Sequence, residues 1–146
     1  MTNRSMTTGD PVPRGDVRDQ IRLLGATPTL ADAPGALLRR LVEVGRVVHV
    51  RPQWAMLAEQ TAPDKAYLLL SGEVEVRRRG VQLRRCGRGE LLGELGILRR
   101  QLRSATIVSA TDVLALHLGR EEFEDLHADD PYFQAVVGEA VLRKTA

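Results

Sequence analysis

The sequence predicts an α+β domain in which helices flank an antiparallel β-sheet. Apolar residues recur at helical spacing over residues 21–42, alternate with polar residues over residues 47–118, and return to helical spacing after Gly119. A parallel α/β fold would instead alternate strands with helices along the chain. We therefore expect one antiparallel sheet, rolled into a sandwich or barrel between two helical regions.

Length and composition fit a single domain that needs no disulfide or structural metal. A chain of 146 residues, 43% of them hydrophobic, can bury roughly 70% of its unfolded surface. The single cysteine, Cys86, cannot form an internal disulfide and is typical of a reducing compartment. No stretch approaches the ~20 apolar residues of a membrane span, and no export signal is recognised. A cytoplasmic location without a membrane span is expected.

The charge distribution does not point to nucleic acid. The 21 basic and 19 acidic residues leave a net charge of +2. Arginine runs at residues 77–79, 84–85 and 99–100 have no aromatic residues interleaved with them. We interpret these runs as solvated faces.

The N-terminal region is predicted to contain a tail and two helices. Residues 1–15 lack a periodic apolar pattern and are predicted to be disordered, which leaves residues 16–146 as the domain. A short helix ends near Leu24. Asp32 and Pro34 supply the polar cap and early proline of a second helix. The apolar face of that second helix consists of Leu37, Leu38, Leu41 and Val42.

Short strands with a period of two fill the middle of the chain. Gly80 lies where two of them would meet in a hairpin, and the polar residues 109–112 form a second connection of hairpin length. The strand signals lie at residues 48–50, 67–70, 74–76, 81–83, 105–108 and 113–118.

Two helices are predicted after the strands. Phe123 and Leu126 mark the inward face of the first helix. Asp130 and Pro131 supply the cap and first position of the second, and the polar segment 127–130 is predicted to act as a hinge. The apolar stripe of the second helix consists of Phe133, Val136, Val137, Ala140 and Val141.

The segment most informative about chemistry contains three glycines, at positions 89, 93 and 96. Glycine weakens strand pairing but allows the backbone to approach a ligand closely. If residues 94–98 form one helical turn after Gly93, their free N–H groups provide an anion site. Arg103, at the start of the next strand signal, could return to the same place. Backbone donors together with a guanidinium suit a phosphate.

A carboxylate beside an anion site needs its own explanation. Glu94 would repel the phosphate that its backbone helps to bind. An ionised carboxylate accepts strong hydrogen bonds from hydroxyl groups, so Glu94 can hold a ribose 2′-hydroxyl while Arg103 neutralises the phosphate. A phosphate next to a ribose hydroxyl indicates a nucleotide. An exposed acid and base that pair with each other or with water remain the alternative.

These motifs strongly resemble the phosphate-binding cassette of cyclic nucleotide-binding domains. The motifs on which this resemblance rests are GELGIL at residues 93–98 and RSAT at residues 103–106. AYLLLSGEV at residues 66–74 resembles the family's strand, turn and strand, and TDV at residues 111–113 its last hairpin. The resemblance covers residues 21–142 and implies an antiparallel β-roll, jelly-roll-like, flanked by N-terminal and C-terminal helices.

The resemblance also assigns roles to residues. It implies that Glu94 binds the ribose 2′-hydroxyl, that Arg103 binds the cyclic phosphate, and that backbone N–H groups with Ser104 complete the site. The ligand is expected to be cAMP, with cGMP possible, and no other cofactor is expected. The predicted ligand-binding residues are Gly93, Glu94, Leu95, Gly96, Arg103, Ser104 and Ala105.

The chain departs from the family pattern at four positions. Leu102 stands where the family often has proline, and Leu92 stands where it often has an aromatic residue. Gln53 and Gln60 stand where the family usually has turn glycines, so the first hairpins are expected to differ.

The sequence therefore predicts a stand-alone regulatory module that binds cyclic nucleotide. We expect the last helix to move on binding, with Val136, Val137 and Val141 touching the base or the cassette, and to signal to a separate effector protein. A homodimer through this helix is possible. The alternative is an interaction or oligomerisation module of the same fold without a ligand.

Two further function classes are expected to be absent. A DNA-binding domain would need further residues after the ligand-binding domain, so no DNA-binding domain is expected. An enzyme is not expected, because we find no nucleophile, base pair or metal set. His49, His117 and His127 lack metal-ligand spacing, so no metal site is predicted.

Overall fold

The computed structural model describes residues 9–13 and 15–145. The strands are β1 (Asp10–Pro11), β2 (Arg46–Val50), β3 (Ala55–Leu57), β4 (Lys65–Ser71), β5 (Val74–Arg78), β6 (Val81–Cys86), β7 (Leu91–Leu92), β8 (Thr106–Ser109) and β9 (Val113–Gly119). The helices are α1 (Val17–Gly25), α2 (Gly35–Val44), α3 (Glu94–Arg99), α4 (Arg120–Asp129) and α5 (Pro131–Thr145), with a 3-10 turn at Pro28–Leu30.

The strands form two antiparallel sheets. One sheet has the order β1-β2-β9-β4-β7 and the other the order β3-β8-β5-β6. This confirms the α+β class and the antiparallel β-roll of jelly-roll type. The sheets do not close into a barrel, because strands at their edges have no neighbour on one side within the described residues.

Two apolar cores lie on opposite faces of the first sheet. Side chains of a strand alternate between its faces, so Tyr67 and Leu69 of β4 point between the sheets while Ala66, Leu68 and Leu70 pack against the helices. Both faces of β4 are buried. This explains why its sequence is a continuous apolar run with no polar alternation.

The helices α1, α2, α4 and α5 cover one face of the first sheet. Leu37, Leu41 and Val42 are buried as predicted for the second helix. The predicted cap differs, because Pro34 is the N-cap residue, α2 begins at Gly35, and no side chain caps it. Asp32 instead lies exposed in the preceding turn.

Three turns depend on positive backbone φ angles. Arg79 and Gly80 have φ angles of 52° and 79°, as the type I′ turn of a two-residue hairpin requires. Gln53 and Gln60 have φ angles of 68° and 63°. The two glutamines thus adopt the left-handed conformation that glycine adopts without strain, so these turns keep the glycine geometry despite the substitution.

Part of the predicted N-terminal tail is structured. Asp10 and Pro11 form β1 and pair with His49 and Val48 of β2, which contradicts disorder at these residues. The rest of the prediction for residues 1–15 falls partly on residues 1–8 and 14, which lie outside the described residues. Among the described residues, no helix is both long and apolar enough to span a bilayer.

The predicted hinge before the last helix is shorter than expected. Residues 127–129 belong to α4, so only Asp130 separates α4 from α5. Its carboxylate accepts a hydrogen bond of 2.8 Å from the backbone N–H of Phe133. The Phe133 ring also packs edge-on against Phe123, with centroids 5.4 Å apart. These contacts fix the beginning of α5 on the domain.

Candidate functional site

The glycine-rich segment folds into a strand, a sharp turn and one short helix. Strand β7 ends at Leu92, and Gly93 follows with a φ of 89° as the N-cap residue of α3. The helical turn predicted after Gly93 is confirmed over Glu94–Arg99. Because the first N–H groups of a helix have no partner inside it, those of residues 94–96 are available to an anion.

Arg103 lies beside this turn with its guanidinium group buried. The residue is 5% exposed. Its Nη1 donates a 2.7 Å hydrogen bond to the carbonyl oxygen of Gly93, and its Nη2 donates to the carbonyl of Lys65. Its Nε is buried and has no partner among the described residues. The guanidinium is therefore fixed by backbone carbonyls, and no carboxylate of the part of the chain that the structure describes lies at hydrogen-bond distance from it.

The glycines at positions 93 and 96 leave room for Arg103. A Cβ atom on Gly93 would lie 2.9 Å from Nη1 of Arg103 and 3.0 Å from the carbonyl oxygen of Lys65. A Cβ on Gly96 would lie 3.1 Å from the same Nη1. The spacing of the two glycines thus has a packing reason, which is the close approach of the arginine to the backbone.

Glu94 is the most buried charged residue of the segment. It is 1% exposed, and its carboxylate pairs with the ammonium group of Lys144 from α5. The distance from Nζ to Oε2 is 2.7 Å, and Nζ also donates to Oε1. Nζ donates a third hydrogen bond, of 2.6 Å, to the carbonyl oxygen of Leu91. The last turn of α5 is therefore attached to the cassette, defined here as residues 93–106.

Burial sets the electrostatics of the arginine. Desolvation lowers the pKa of Arg103, and the nearby carboxylates of Asp64 and Glu94 act in the opposite direction. Burial also lowers the pKa of the neighbouring Lys65. A poorly solvated cation that lacks a paired carboxylate gains more from an incoming anion than an exposed one would.

One pocket brings all seven predicted site residues together. The cassette forms one wall, and strands of the second sheet with the end of α5 form the rest. That these residues bind a ligand stays a prediction. The predicted residues that line the pocket are Gly93, Glu94, Leu95, Gly96, Arg103, Ser104 and Ala105.

Several lining residues could not be assigned from the sequence. Lys144 reaches the pocket from 50 positions away in the chain, and Arg84 reaches it from β6. Pairing of Val76 with Arg84 and Ile107 places these three side chains together. Leu57, Val76 and Ile107 make the wall apolar. The only sequence signal for Lys144 is that it is one of two lysines among 21 basic residues.

That Val136, Val137 and Val141 touch the base or the cassette when ligand is bound stays a prediction. In this structure Val137 and Val141 pack in or against the core under the helices, which includes Ile97 of the cassette, and Val136 does not line the pocket. Lys144 of α5 lines the pocket and bonds to Glu94. Separately, the described part of the chain contains no group of three or more His, Cys, Asp or Glu side chains that could hold a metal ion.

The fold and the pocket together define a class of protein. The β-roll presents a short helix, a buried arginine and a buried carboxylate to one pocket. The chain belongs to the cyclic nucleotide-binding domain family, whose model matches residues 47–130.

Curated relatives include a kinase subunit and a larger bacterial protein. The chain is 38% identical over 78 residues to a cAMP-dependent protein kinase regulatory subunit of Aspergillus fumigatus, covering 51% of this chain and 19% of that one. It is 29% identical over 140 residues to an uncharacterized NTE family protein of Mycobacterium bovis, covering 94% of this chain and 24% of that one. The chain thus spans a quarter or less of the length of these relatives.

A solved structure with the same fold comes from another kinase subunit. The regulatory subunit of a cAMP-independent protein kinase A from Trypanosoma brucei superposes with a TM-score of 0.73 and 21% identity, over 88% of this chain and 45% of that chain. At this identity the likeness shows the fold alone.

Proposed function

We propose that the chain is a regulatory module that binds cAMP in the pocket at the cassette. The observation that carries the proposal is the state of Arg103, which is 5% exposed and whose buried Nε has no partner among the described residues. A buried, unpartnered donor is costly unless a ligand satisfies it. A cyclic phosphate at the N-terminus of α3 would supply both the missing acceptor and the missing negative charge.

The position of Glu94 supports a ribose next to that phosphate. The carboxylate is buried in the same pocket as Arg103, so a ligand that bonds to both side chains carries a hydrogen-bond donor beside an anion. In a cyclic nucleotide the 2′-hydroxyl is that donor. Inorganic phosphate and acyl phosphates have no sugar hydroxyl next to the phosphate group.

A second ligand, cGMP, is supported by Arg84. Its side chain lines the pocket across from the cassette, and arginine pairs with O6 and N7 of guanine better than with any group of adenine. Ser104, whose hydroxyl could meet a guanine amino group, lines the same pocket. Purine preference is therefore part of the test below.

The output of the module is proposed to be a movement of α5 that a separate effector protein recognises. Lys144 joins the last turn of α5 directly to Glu94, so a ligand at Glu94 acts on the helix as well as on the cassette. Hydrogen exchange tests this step: with cAMP, amides of residues 141–145 should change protection together with those of residues 93–98. A response confined to residues 93–98 would leave binding without a switch.

We propose that the module binds its ligand without catalysing a reaction and that it acts in the cytoplasm. The pocket holds one buried carboxylate and one buried guanidinium, and we assign neither to a reaction. Cys86 is free and buried, which supports a reducing compartment. The names of the relatives differ on the ligand, since the Aspergillus subunit is described as cAMP-dependent and the Trypanosoma one as cAMP-independent. A ligand-free interaction module is therefore the alternative that must be tested.

Calorimetric titration with cAMP, cGMP and 5′-AMP separates these functions. We expect saturable 1:1 binding of one cyclic nucleotide and much weaker binding of 5′-AMP, whose open phosphate carries an extra charge and does not fit the same donors. Stronger binding of cGMP than of cAMP would show that the pocket prefers guanine. Absence of heat with both cyclic nucleotides, in a protein that melts cooperatively, would leave the interaction module as the function.

A further inference from the structure

The ammonium group of Lys144 bonds to both carboxylate oxygens of Glu94, the residue proposed above to accept a ribose hydroxyl. Its three N–H donors go to the two carboxylate oxygens of Glu94 and to the carbonyl oxygen of Leu91, which uses its full donor capacity. The Lys144 side chain is only 13% exposed. The ion pair is therefore a buried contact and differs from the exposed pairs of the molecular surface.

The remainder of α5 is held by other contacts. Phe133, Val137 and Ala140 are buried in the core under the helices, and the hydroxyl of Tyr132 donates a 3.1 Å hydrogen bond to the carbonyl oxygen of Thr29. Beyond Ala140 the helix has no fully buried apolar side chain. Leu142 is 68% exposed. The last turn, residues 141–145, is thus attached to the rest of the domain by the contact of Lys144 and by the packing of the partly buried Val141 against the core.

We propose that Lys144 is an internal competitor for the ribose subsite. The inference rests on the proposed function, because it assumes that the 2′-hydroxyl of a cyclic nucleotide bonds to Glu94. The hydroxyl and the ammonium then compete for the same carboxylate, and ligand entry releases residues 141–145. In most molecules of the free protein, Lys144 occupies the subsite. The apparent affinity for the nucleotide is therefore the intrinsic affinity multiplied by the fraction of molecules in which the subsite is free.

The competition also determines which ligands activate the module. A ligand shifts a conformational equilibrium only through its differential affinity for the two states. A nucleotide without a 2′-hydroxyl can bind Arg103 through its phosphate, but it has no hydroxyl group that could replace the ammonium of Lys144 at Glu94. Such a ligand occupies the pocket and leaves the last turn of α5 in place.

The first test replaces the lysine. Lys144→Met removes the ammonium and keeps an aliphatic side chain of similar length, so it should bind cAMP more tightly than the parent, by about 5-fold or more. The gain should be much smaller for 2′-deoxy-cAMP. Arg143→Met is the matched control, since it removes a positive charge from the neighbouring exposed position, and it should bind like the parent. Equal gains for both nucleotides, or weaker cAMP binding by Lys144→Met, would overturn the inference.

The second test needs no variant. In the parent protein, hydrogen exchange of residues 141–145 should accelerate on saturation with cAMP and stay unchanged on saturation with 2′-deoxy-cAMP. A parent that binds cAMP while these residues remain protected overturns the competition and leaves the proposed function standing. A parent that binds neither nucleotide overturns the proposed function and this inference together.

Discussion

Arg103 and Gly93 lie so close together that each restricts what the other position can be. The guanidinium Nη1 donates to the carbonyl oxygen of Gly93 at 2.7 Å, and a Cβ added to Gly93 would lie 2.9 Å from that same nitrogen. Gly93 also has a φ of 89°, which other L-amino acids rarely adopt. The buried cation can therefore remain at the start of α3 only if position 93 is glycine.

Gly93→Ala should lower both stability and cAMP affinity. The positive φ costs about 1–2 kcal/mol for a residue with a Cβ, and the clash should displace the guanidinium. Gly138→Ala is the matched control, because a Cβ there meets nothing within 4 Å and lies in the interior of α5, where alanine gains about 1 kcal/mol over glycine. Urea unfolding and calorimetric titration of both variants provide the measurement. If Gly93→Ala binds cAMP with the affinity of the parent, binding by Arg103 does not depend on glycine at position 93.

The role of Glu94 is tested by a double-mutant cycle between protein and ligand. If the carboxylate accepts the ribose hydroxyl, 2′-deoxy-cAMP should bind the parent less tightly than cAMP does. Glu94→Gln should narrow that difference, because neither nucleotide can form the charge-assisted bond with this variant. The four dissociation constants should give a coupling energy of about 0.5–3 kcal/mol. If the two losses of binding free energy are additive, Glu94 does not contact the ribose hydroxyl.

The glutamines with positive φ predict two stabilising substitutions. Gln53 and Gln60 are exposed and have φ angles of 68° and 63°, so glycine at either position relieves strain without removing a buried side chain. Their backbone N–H bonds to the carbonyl oxygens of Ser109 and Arg103 are 2.7 Å and 2.8 Å long and are available to glycine as well. Each change to glycine should raise the free energy of unfolding by up to about 1 kcal/mol, measured by urea denaturation. A loss of stability at both positions would contradict the strain.

Stability should fall in mild acid because of His117. Burial lowers the pKa of His117 below its usual value of 6.5, and the ring packs edge-on against Tyr67 with centroids 5.5 Å apart. Above pH 6.5 the ring is neutral whether the chain is folded or not. As the pH falls below that value the unfolded chain takes up the proton first, so stability is lost. His117→Gln should lose less stability between pH 7.5 and pH 5.5 in urea titrations; an unchanged pH dependence would place the effect elsewhere.

Much of the fold could be predicted because its signals are local. The spacing of Leu37, Leu41 and Val42 places one face of α2 in the core, and Gly80 places the β5–β6 hairpin. The cassette was predictable for a related reason. Glycines with positive φ and an arginine ten positions beyond Gly93 restrict a short segment that folds on itself.

What the sequence could not reveal depends on contacts between distant segments. Lys144 reaches Glu94 only because α5 folds back across the cassette, and no spacing rule connects two residues 50 positions apart. Arg84 enters the pocket through the register of β5 with β6. The hinge is shorter than predicted because residues 127–129, two polar residues around an alanine, are compatible with both a linker and the last turn of α4.

The most direct test of the account compares cAMP binding by Arg103→Ala with that by Arg39→Ala in calorimetric titrations. Arg39 is exposed on α2 and does not line the pocket, so its variant controls for the loss of one positive charge. Arg103→Ala should bind cAMP about 30- to 1,000-fold more weakly, which corresponds to a loss of about 2–4 kcal/mol for a buried phosphate without its guanidinium. Arg39→Ala should bind like the parent. A cooperatively folded Arg103→Ala protein with parental affinity would contradict the central claim, because the phosphate would then lie elsewhere.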